Sequence, residues 1–366
     1  MIVYIRSSLI SKDVRVQKYI HYLNATKLIK IQWDRKGEYK NTCINTITFD
    51  LPAEYGERIK SLFKFLRWNI FVFRTLFQQR NKIKVIQICD LDSFFGAIPF
   101  RLFGKKIVFD VYDFFTDSKI SCSDSICYST LYQIEMFCLR FVDLLILPLD
   151  VRKKHLNFNP KRMIVCENVP LLNGFDAGDK CKKSQKLEVV YTGTLEAENR
   201  GLEWIPAIAK KLRDKVNFTI AGDGALKDFF KEAAQENSNI LFLGTVTHNK
   251  ALELQRNGDL IYAIYRTNLT NNVLAAPNKF YESLFLGTPV IINKGILIAE
   301  LVEINKIGYV VAEKPDAVIE LLQSVKDDEI KKVSESGVNY WSINYATYLE
   351  KKYCRDYQDQ LALLTS

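Results

Sequence analysis

The sequence predicts an α/β protein built from two Rossmann-like domains, each a doubly wound parallel sheet. The chain has 366 residues, which exceeds the ~100–200 residues of one typical core and favours two domains. Short, mostly β-branched apolar runs alternate with amphipathic stretches in both halves, as in sheets covered on both faces. A polar, lysine-rich segment without periodicity, residues 168–186, separates the halves and indicates a linker.

The first domain is expected to span residues 1–167. Its first strand is IVYI, and the amphipathic stretch from Asp13 to Leu23 follows it as a helix. Further apolar runs predict strands at 27–33, 85–89, 106–111, 144–149 and 163–166. Runs this short, bounded by helical stretches, are typical of buried parallel strands.

The second domain, residues 187–344, repeats the alternation with clearer boundaries. Strands are expected at 187–193, 216–222, 240–244, 260–265, 289–293 and 308–312, and helices near 202–213, 225–236, 248–257, 278–287, 296–303 and 315–325. Residues 345–366 form a last helix that no strand follows, so it can cross back to the first domain. Because such sheets bind ligands beyond the carboxyl ends of their strands, the two domains are expected to face a ligand cleft.

Composition excludes several classes of protein. The eight cysteines form no C-x-x-C pair and the three histidines are scattered, which argues against a disulfide scaffold or a zinc site. No apolar run approaches the ~20 residues that span a bilayer, and the N-terminus lacks the apolar region of a signal peptide. We therefore expect a cytoplasmic protein with reduced thiols.

Positive charge is concentrated in the first half. Residues 1–167 hold 27 Lys/Arg against 16 Asp/Glu, a difference of +11, whereas residues 168–366 hold 24 against 26, a difference of −2. Eight of the cations lie in residues 58–84, interleaved with aromatic residues and without an acid. This segment fits RNA stacking, an interfacial helix on anionic lipid, or a domain helix with a partly buried aromatic stripe. No RNA-binding fold pattern accompanies it, so we expect no nucleic-acid partner.

One acidic motif in the first half has two interpretations. Asp90 and Asp92 form a D-x-D pair directly after an apolar strand, and such a pair can hold a metal ion on a diphosphate. The favoured interpretation is that Asp90 caps the helix that follows. We therefore expect no metal site.

Two glycine turns in the second half lie where phosphate could bind. YTGTLEAENRGLEW places Gly193 and Thr194 after a strand and Arg200 at a helix start near Gly201. Backbone N–H groups at a helix start, together with an arginine, suit a diphosphate. AGDGALKDFF places Gly222 and Gly224 after the next strand, but Lys227 occupies the third glycine position of a nicotinamide fingerprint. An ordinary strand-to-helix turn is the alternative for the first motif and the favoured interpretation for the second.

The segment LTNNVLAAPNKFYESLFLGTPVII carries the strongest signal. A polar loop leads into a helix that starts near Asn278, and Lys279 and Glu282, three residues apart, share one helix face. Loop amides and a lysine suit phosphate, and a carboxylate suits ribose hydroxyls. The alternative is a surface salt bridge.

The order of these motifs resembles the family 4 glycosyltransferases of the GT-B fold, and the opening RSSLISKDVRVQKYIHYL resembles their cell-surface polysaccharide members. The resemblance covers nearly the whole chain. It implies that Arg200 and Lys279 hold the donor diphosphate, that Glu282 binds ribose, and that Gly193, Thr194, Gly222, Gly224 and Asn278 line the donor site. Thr194 and Leu274 stand where the family has an arginine and a first glutamate. Tyr112 replaces a histidine, and Asp113 beside it becomes the candidate acceptor-side catalytic residue.

The resemblance implies a retaining hexosyltransferase of capsule or lipopolysaccharide synthesis. It would move a sugar from a nucleotide diphosphate-sugar to a polyprenyl-diphosphate-linked glycan, without a metal or other cofactor. Among the readings of residues 58–84, contact with an anionic membrane then fits best, on the inner face of the cytoplasmic membrane. The alternatives are an inactive GT-B scaffold, for which Thr194 and Leu274 are the evidence, and a nucleotide-sugar 2-epimerase, which the scarcity of histidine disfavours.

Overall fold

The computed structural model describes residues 1–23, 28–37, 39, 45–53, 58–119, 126–172, 175 and 185–366. These residues divide into two compact units, residues 1–167 with 347–366 and residues 168–346. Most of the predicted linker, 168–186, lies outside the described residues. The last 20 residues belong to the first unit, as the prediction of a crossing C-terminal helix allowed.

The first unit contains a seven-stranded, all-parallel sheet of order β3-β2-β1-β4-β5-β6-β7. The strands are β1 Ile2–Arg6, β2 Leu28–Asp34, β3 Thr46–Asp50, β4 Val85–Ile88, β5 Lys106–Asp110, β6 Leu144–Leu147 and β7 Met163–Val165. The α-helices are α1 Val14–Tyr22, α2 Arg58–Gln79, α3 Phe94–Ala97, α4 Phe115–Lys119 and α5 Ile126–Leu139. Strand β3 was missed because TITFD alternates polar and apolar residues at the sheet edge, where all five side chains are at least partly exposed.

Both faces of this sheet are covered. On one face, α2 contributes Trp68, Val72 and Leu76 to the core, and Trp68 stacks on Trp33 of β2 with ring centroids 5.6 Å apart. On the other face, α1 packs with the returning C-terminal segment, a π-helix at Glu350–Asp356 that continues into the unit's final α-helix. Tyr353 and Tyr357 of that segment are fully buried, so the first core is completed by residues from the end of the chain.

The second unit contains a six-stranded parallel sheet of order β10-β9-β8-β11-β12-β13. The strands are β8 Leu187–Thr192, β9 Val216–Ala221, β10 Ile240–Phe242, β11 Leu260–Tyr262, β12 Val290–Asn293 and β13 Gly308–Val311. The α-helices are α6 Ile205–Lys211, α7 Lys227–Glu236, α8 His248–Asn257, α9 Thr270–Val273, α10 Asn278–Leu286, α11 Ile298–Asn305, α12 Pro315–Ser324 and α13 Asp327–Asn344, and α14 Tyr357–Thr365 closes the first unit. The prediction of two Rossmann-like parallel sheets is confirmed, and the six strands of this unit are the six predicted.

One long helix was not predicted. Helix α13 has 18 residues and contains Gly337 near its middle, a residue that weakens an isolated helix by about 1 kcal/mol relative to Ala. Packing on α10 compensates for this cost, because a Cβ at Gly337 would lie 3.6 Å from Leu284 and Ser334 donates a 2.6 Å hydrogen bond to the carbonyl of Gly287. The helix therefore depends on a contact that its own sequence does not reveal.

Candidate donor and acceptor sites

The loops beyond β8 and β9 are pressed together at the carboxyl edge of the second sheet. A Cβ at Gly222 would lie 1.8 Å from the carbonyl oxygen of Gly193, and one at Gly224 would lie 2.6 Å from that of Leu195. The N–H of Gly193 donates to Ala221 O at 2.9 Å, which ties the two loops. Glycine is therefore required at 222 and 224 for loop packing alone. Their assignment to the donor site stays a prediction.

Lys279, at the second position of α10, lies over the loop that follows β8. Its side chain is only 9% exposed, its Nζ lies 4.6 Å from the centroid of the Tyr191 ring, and a Cβ at Gly193 would be 3.0 Å from that Nζ. No carboxylate of the described residues forms an ion pair with it. Burial acts to lower the pKa of Lys279, but interactions with Tyr265 and Tyr191 outweigh it and the pKa is raised. The ammonium group therefore stays charged at neutral pH.

Arg200 contributes a second cation to the same place. Its guanidinium lies 4.3 Å from the centroid of the Tyr265 ring, and its Nε donates to Glu196 Oε2 at 3.0 Å. Burial opposes its charge, yet Tyr265 and Tyr191 raise its pKa as they raise that of Lys279. The fold thus brings the two predicted cations to one pair of tyrosines, and Glu196 on Arg200 and Glu282 near Lys279 partly compensate their mutual repulsion. No sequence pattern had pointed to Glu196, Tyr191 or Tyr265.

Glu282 lies one turn after Lys279 and is 6% exposed. Its Oε2 accepts a 2.8 Å hydrogen bond from Nε2 of Gln255, which also donates to Thr192 Oγ1 at 2.7 Å. One buried amide from α8 therefore fixes the carboxylate against the end of β8. Gln255 was not predicted, because a single glutamine in a helix has no distinguishing sequence pattern.

The remaining predicted donor residues have simpler surroundings. Asn278 is exposed at the first position of α10. The carbonyl of Thr194 accepts a 2.5 Å hydrogen bond from the hydroxyl of Tyr191. Leu274 directly follows α9 and is half-buried. Arg200 precedes a short 3-10 helix, Leu202–Trp204, which continues directly into α6.

Asp113 belongs to the first unit, beyond β5. Its carboxylate is 46% exposed and pairs with the buried guanidinium of Arg152 at 3.3 Å. It lines a cavity of about 300 Å³ at the carboxyl ends of β1, β4 and β5. Tyr112, at the family's histidine position, donates instead to Asp13 at 2.8 Å.

The D-x-D pair behaves as a structural motif. Asp90 is the N-cap of the 3-10 helix Leu91–Ser93, and its Oδ1 accepts from Ser93 N at 3.0 Å while its Oδ2 accepts from Ser7 N at 2.7 Å. The capping interpretation is confirmed. Among the described residues there is also no cluster of three or more His, Cys, Asp or Glu side chains arranged for a metal ion.

Helix α2 divides into a buried and an exposed face, as predicted. Trp68, Val72 and Leu76 are fully buried. The opposite face exposes apolar side chains by 37% to 73%: Leu62, Phe63, Leu66, Ile70, Phe73 and Phe77. Next to Phe77, the 3-10 segment Ile98–Phe103 adds Leu102 and Phe103, exposed by 91% and 47%. In the described part of the chain, no helix is long and apolar enough to cross a bilayer.

Comparisons with known proteins agree with this architecture. Residues 186–328 match the family model described as Glycosyl transferases group 1. Sucrose-phosphate synthase from Thermosynechococcus elongatus superposes with a TM-score of 0.75 at 12% identity, over 99% of both chains. HepE of Anabaena, in complex with UDP and glucose, superposes with a TM-score of 0.68 at 13% identity, also over 99% of both chains. A trehalose-6-phosphate protein of E. coli bound with UDP-2-fluoro glucose gives 0.67 at 10% identity, over 100% of this chain and 99% of that one. No curated protein matches the sequence significantly.

Proposed function

We propose that this chain, which has the GT-B fold and matches the group 1 glycosyltransferases across residues 186–328, transfers a sugar from a nucleotide diphosphate-sugar to a lipid-linked glycan. The observation that carries the proposal is the convergence of Lys279 and Arg200 on Tyr191 and Tyr265. A buried lysine and a partly buried arginine, of which only the arginine has an ion-pair partner among the described residues, leave positive charge for an anion. A diphosphate is the anion that such a donor would bring, and the HepE and E. coli structures contain UDP or a UDP-sugar.

In this proposal the second unit binds the donor. Lys279 and Arg200 neutralise the charge that develops on the departing diphosphate, which stabilises the transition state electrostatically. Glu282, fixed by Gln255, accepts hydrogen bonds from the ribose. Gly193, Thr194, Gly222, Gly224 and Asn278 shape the loops around it. Because the chain supplies its own cations, we propose that transfer needs no metal ion, and the family resemblance favours retention of configuration.

The first unit binds the acceptor. Asp113 is half-exposed beside the cavity and its orientation is fixed by Arg152. A carboxylate in this position can orient the acceptor hydroxyl by accepting its hydrogen bond.

The lipid carrier of the acceptor is held by the membrane, and we propose that the exposed face of α2 contacts an anionic bilayer on its cytoplasmic side. Arg67 and Arg74 are exposed on this helix, among the exposed apolar side chains described above. Apolar side chains that enter the headgroup region and cations that meet anionic lipid are the two features of interfacial helices. Polysaccharide synthesis is the process in which such an acceptor is used.

A ligand screen tests the donor assignment. Nucleoside diphosphates and their sugars are added to the full chain and the thermal midpoint is measured, because a ligand that binds only the native state raises it. We expect one base to stand out, and its nucleotide sugars then to support transfer to a synthetic lipid-linked glycan. Binding without transfer to any acceptor or water would favour the inactive scaffold, and interconversion of the sugar would favour the epimerase. No shift with any nucleotide would refute the donor site.

Liposome sedimentation tests the membrane assignment. Reversing Lys64, Arg67 and Arg74 to Glu should weaken binding to anionic vesicles by roughly a hundredfold or more, since each cation near an anionic surface contributes about 1 kcal/mol. A matched control reverses three exposed lysines of the second unit, Lys211, Lys231 and Lys250. Equal losses in both variants would mean that only net charge matters and would contradict a role for α2.

A further inference from the structure

The cavity of the first unit differs in its charges from the donor site. It has a volume of about 300 Å³ and lies at the carboxyl ends of strands of the first sheet, with Glu135 of α5 in its lining. This is the lower end of the range for small-molecule sites, roughly 300–1,000 Å³. It suits one small ring better than a nucleotide sugar.

Both arginines that line the cavity are already neutralised by carboxylates of the first unit. Arg6 pairs with Asp13 at 2.8 Å and with Asp90 at 3.4 Å. Arg35 pairs with Asp92 at 3.5 Å and donates its Nε hydrogen to the carbonyl of Ser7 at 2.8 Å. Neither guanidinium therefore offers an uncompensated positive charge to a ligand.

Carboxylates outnumber cations in the described lining. Five acidic residues line the cavity against two arginines: Asp90, Asp92, Asp110, Asp113 and Glu135. Even when Arg15 on Asp110 and Arg152 on Asp113 are included, the acids exceed the basic residues by one. Among the lining carboxylates that form ion pairs, Asp113 is the most exposed, at 46%. A phosphate would meet repulsion here, whereas sugar hydroxyls would meet hydrogen-bond acceptors.

We infer that this cavity binds an uncharged sugar ring and rejects phosphorylated sugars. The inference rests on the proposed function, because it identifies the cavity with the acceptor side of a glycosyltransferase. The sugar unit that receives the new bond would enter the cavity through hydroxyl contacts to Asp113, Asp92 and Ser8. The diphosphate of the lipid carrier would stay outside it. The two units thereby separate the two kinds of substrate by charge.

Ligand-observed NMR titration of the full chain tests this. The probes are methyl glycosides of glucose, galactose and mannose, N-acetylglucosamine and N-acetylgalactosamine, each paired with its 6-phosphate. We expect at least one neutral sugar to bind about tenfold or more tightly than its phosphate. Asp113→Asn should reduce that ratio, because it removes one repelling charge. Asp150→Asn, which removes an exposed carboxylate of the same unit outside the cavity lining, should leave the ratio unchanged.

A second variant tests whether the sugars bind in this cavity. Ser8→Phe places a ring in the cavity and should abolish neutral-sugar binding while circular dichroism and the nucleotide-induced thermal shift stay as in the wild type. The inference is overturned if phosphates bind as well as neutral sugars, if Ser8→Phe binds sugars normally, or if no neutral sugar binds. A failure here with the nucleotide shift intact would leave the donor proposal standing. Loss of the nucleotide shift in the wild type would refute the donor proposal separately.

Discussion

Replacing Lys279 by Met removes the buried charge from the donor site while keeping a side chain of similar length. A hydrogen bond to a charged group contributes about 1.5–3 kcal/mol, and Lys279 is only 9% exposed, so water screens it little. The dissociation constant of the best nucleoside diphosphate should therefore rise about 10- to 150-fold. The corresponding monophosphate should lose less, because it brings fewer phosphate oxygens to the site.

Stability should change in the same direction. The pKa of Lys279 is raised because Tyr265 and Tyr191 outweigh the opposing effects of burial and of Arg200. A pKa raised in the folded state means that the folded surroundings favour the ammonium group, so the thermal midpoint without ligand should stay level or fall.

Isothermal titration calorimetry measures the change in affinity and thermal unfolding measures the change in midpoint, each on three proteins. The wild type and Lys279→Met are compared with Lys231→Met, a control in which the lost lysine is 54% exposed on α7. An unchanged diphosphate affinity in Lys279→Met, or an equal loss in Lys231→Met, would refute the electrostatic reasoning. A raised midpoint in Lys279→Met would show that the folded surroundings disfavour the ammonium group, contrary to its raised pKa.

Three further predictions concern Glu282, the need for a metal ion, and Lys18. Glu282→Ala should weaken nucleotide binding strongly in calorimetry with the circular dichroism spectrum retained, and unchanged affinity would exclude Glu282 from the ribose site. Transfer should persist in EDTA, whereas loss of activity that Mg²⁺ or Mn²⁺ restores would return Asp90 and Asp92 to consideration. Burial and then Arg15 lower the pKa of Lys18 from 10.5 to about 7 in the folded protein. At pH values between these two, the unfolded chain holds a proton that the native state lacks, so stability rises with pH. Lys18→Met should therefore raise the thermal unfolding midpoint at about pH 7. This gain should shrink towards about pH 9.5, because the pH then approaches the ordinary pKa of the lysine in the unfolded chain. A gain that does not depend on pH would contradict this.

Much of the fold could be predicted because parallel strands are short apolar runs whose pattern is local. All six strands of the second sheet are cases of this kind. Strand β3 and helix α13 were not predicted for a common reason. Polar and apolar residues alternate in β3 at a sheet edge, and α13 contains Gly337. Both elements therefore depend on neighbours distant in sequence.

The site was predicted in part for a similar reason. Lys279 and Glu282 share a helix face, which spacing alone reveals. The approach of Arg200 to Lys279 requires the sheet order and the tyrosines at the ends of β8 and beyond β11. Gln255 contacts Glu282 only because α8 packs beside α10. Glycines 222 and 224 were assigned to the donor site through the family resemblance, yet loop packing already requires them.

The return of residues 347–366 to the first unit sets an order for folding during synthesis. Residues 168–346 are continuous, so the second unit has its whole core as soon as they leave the ribosome. The first unit is made earlier but still lacks Tyr353 and Tyr357, which its sheet face buries completely. That face, with the Arg15–Asp110 ion pair beneath it, stays open to water until residues 347–366 have been synthesised. The half of the molecule that is synthesised first is therefore the half that finishes folding last, which reverses the usual N-terminal-first sequence of domain folding.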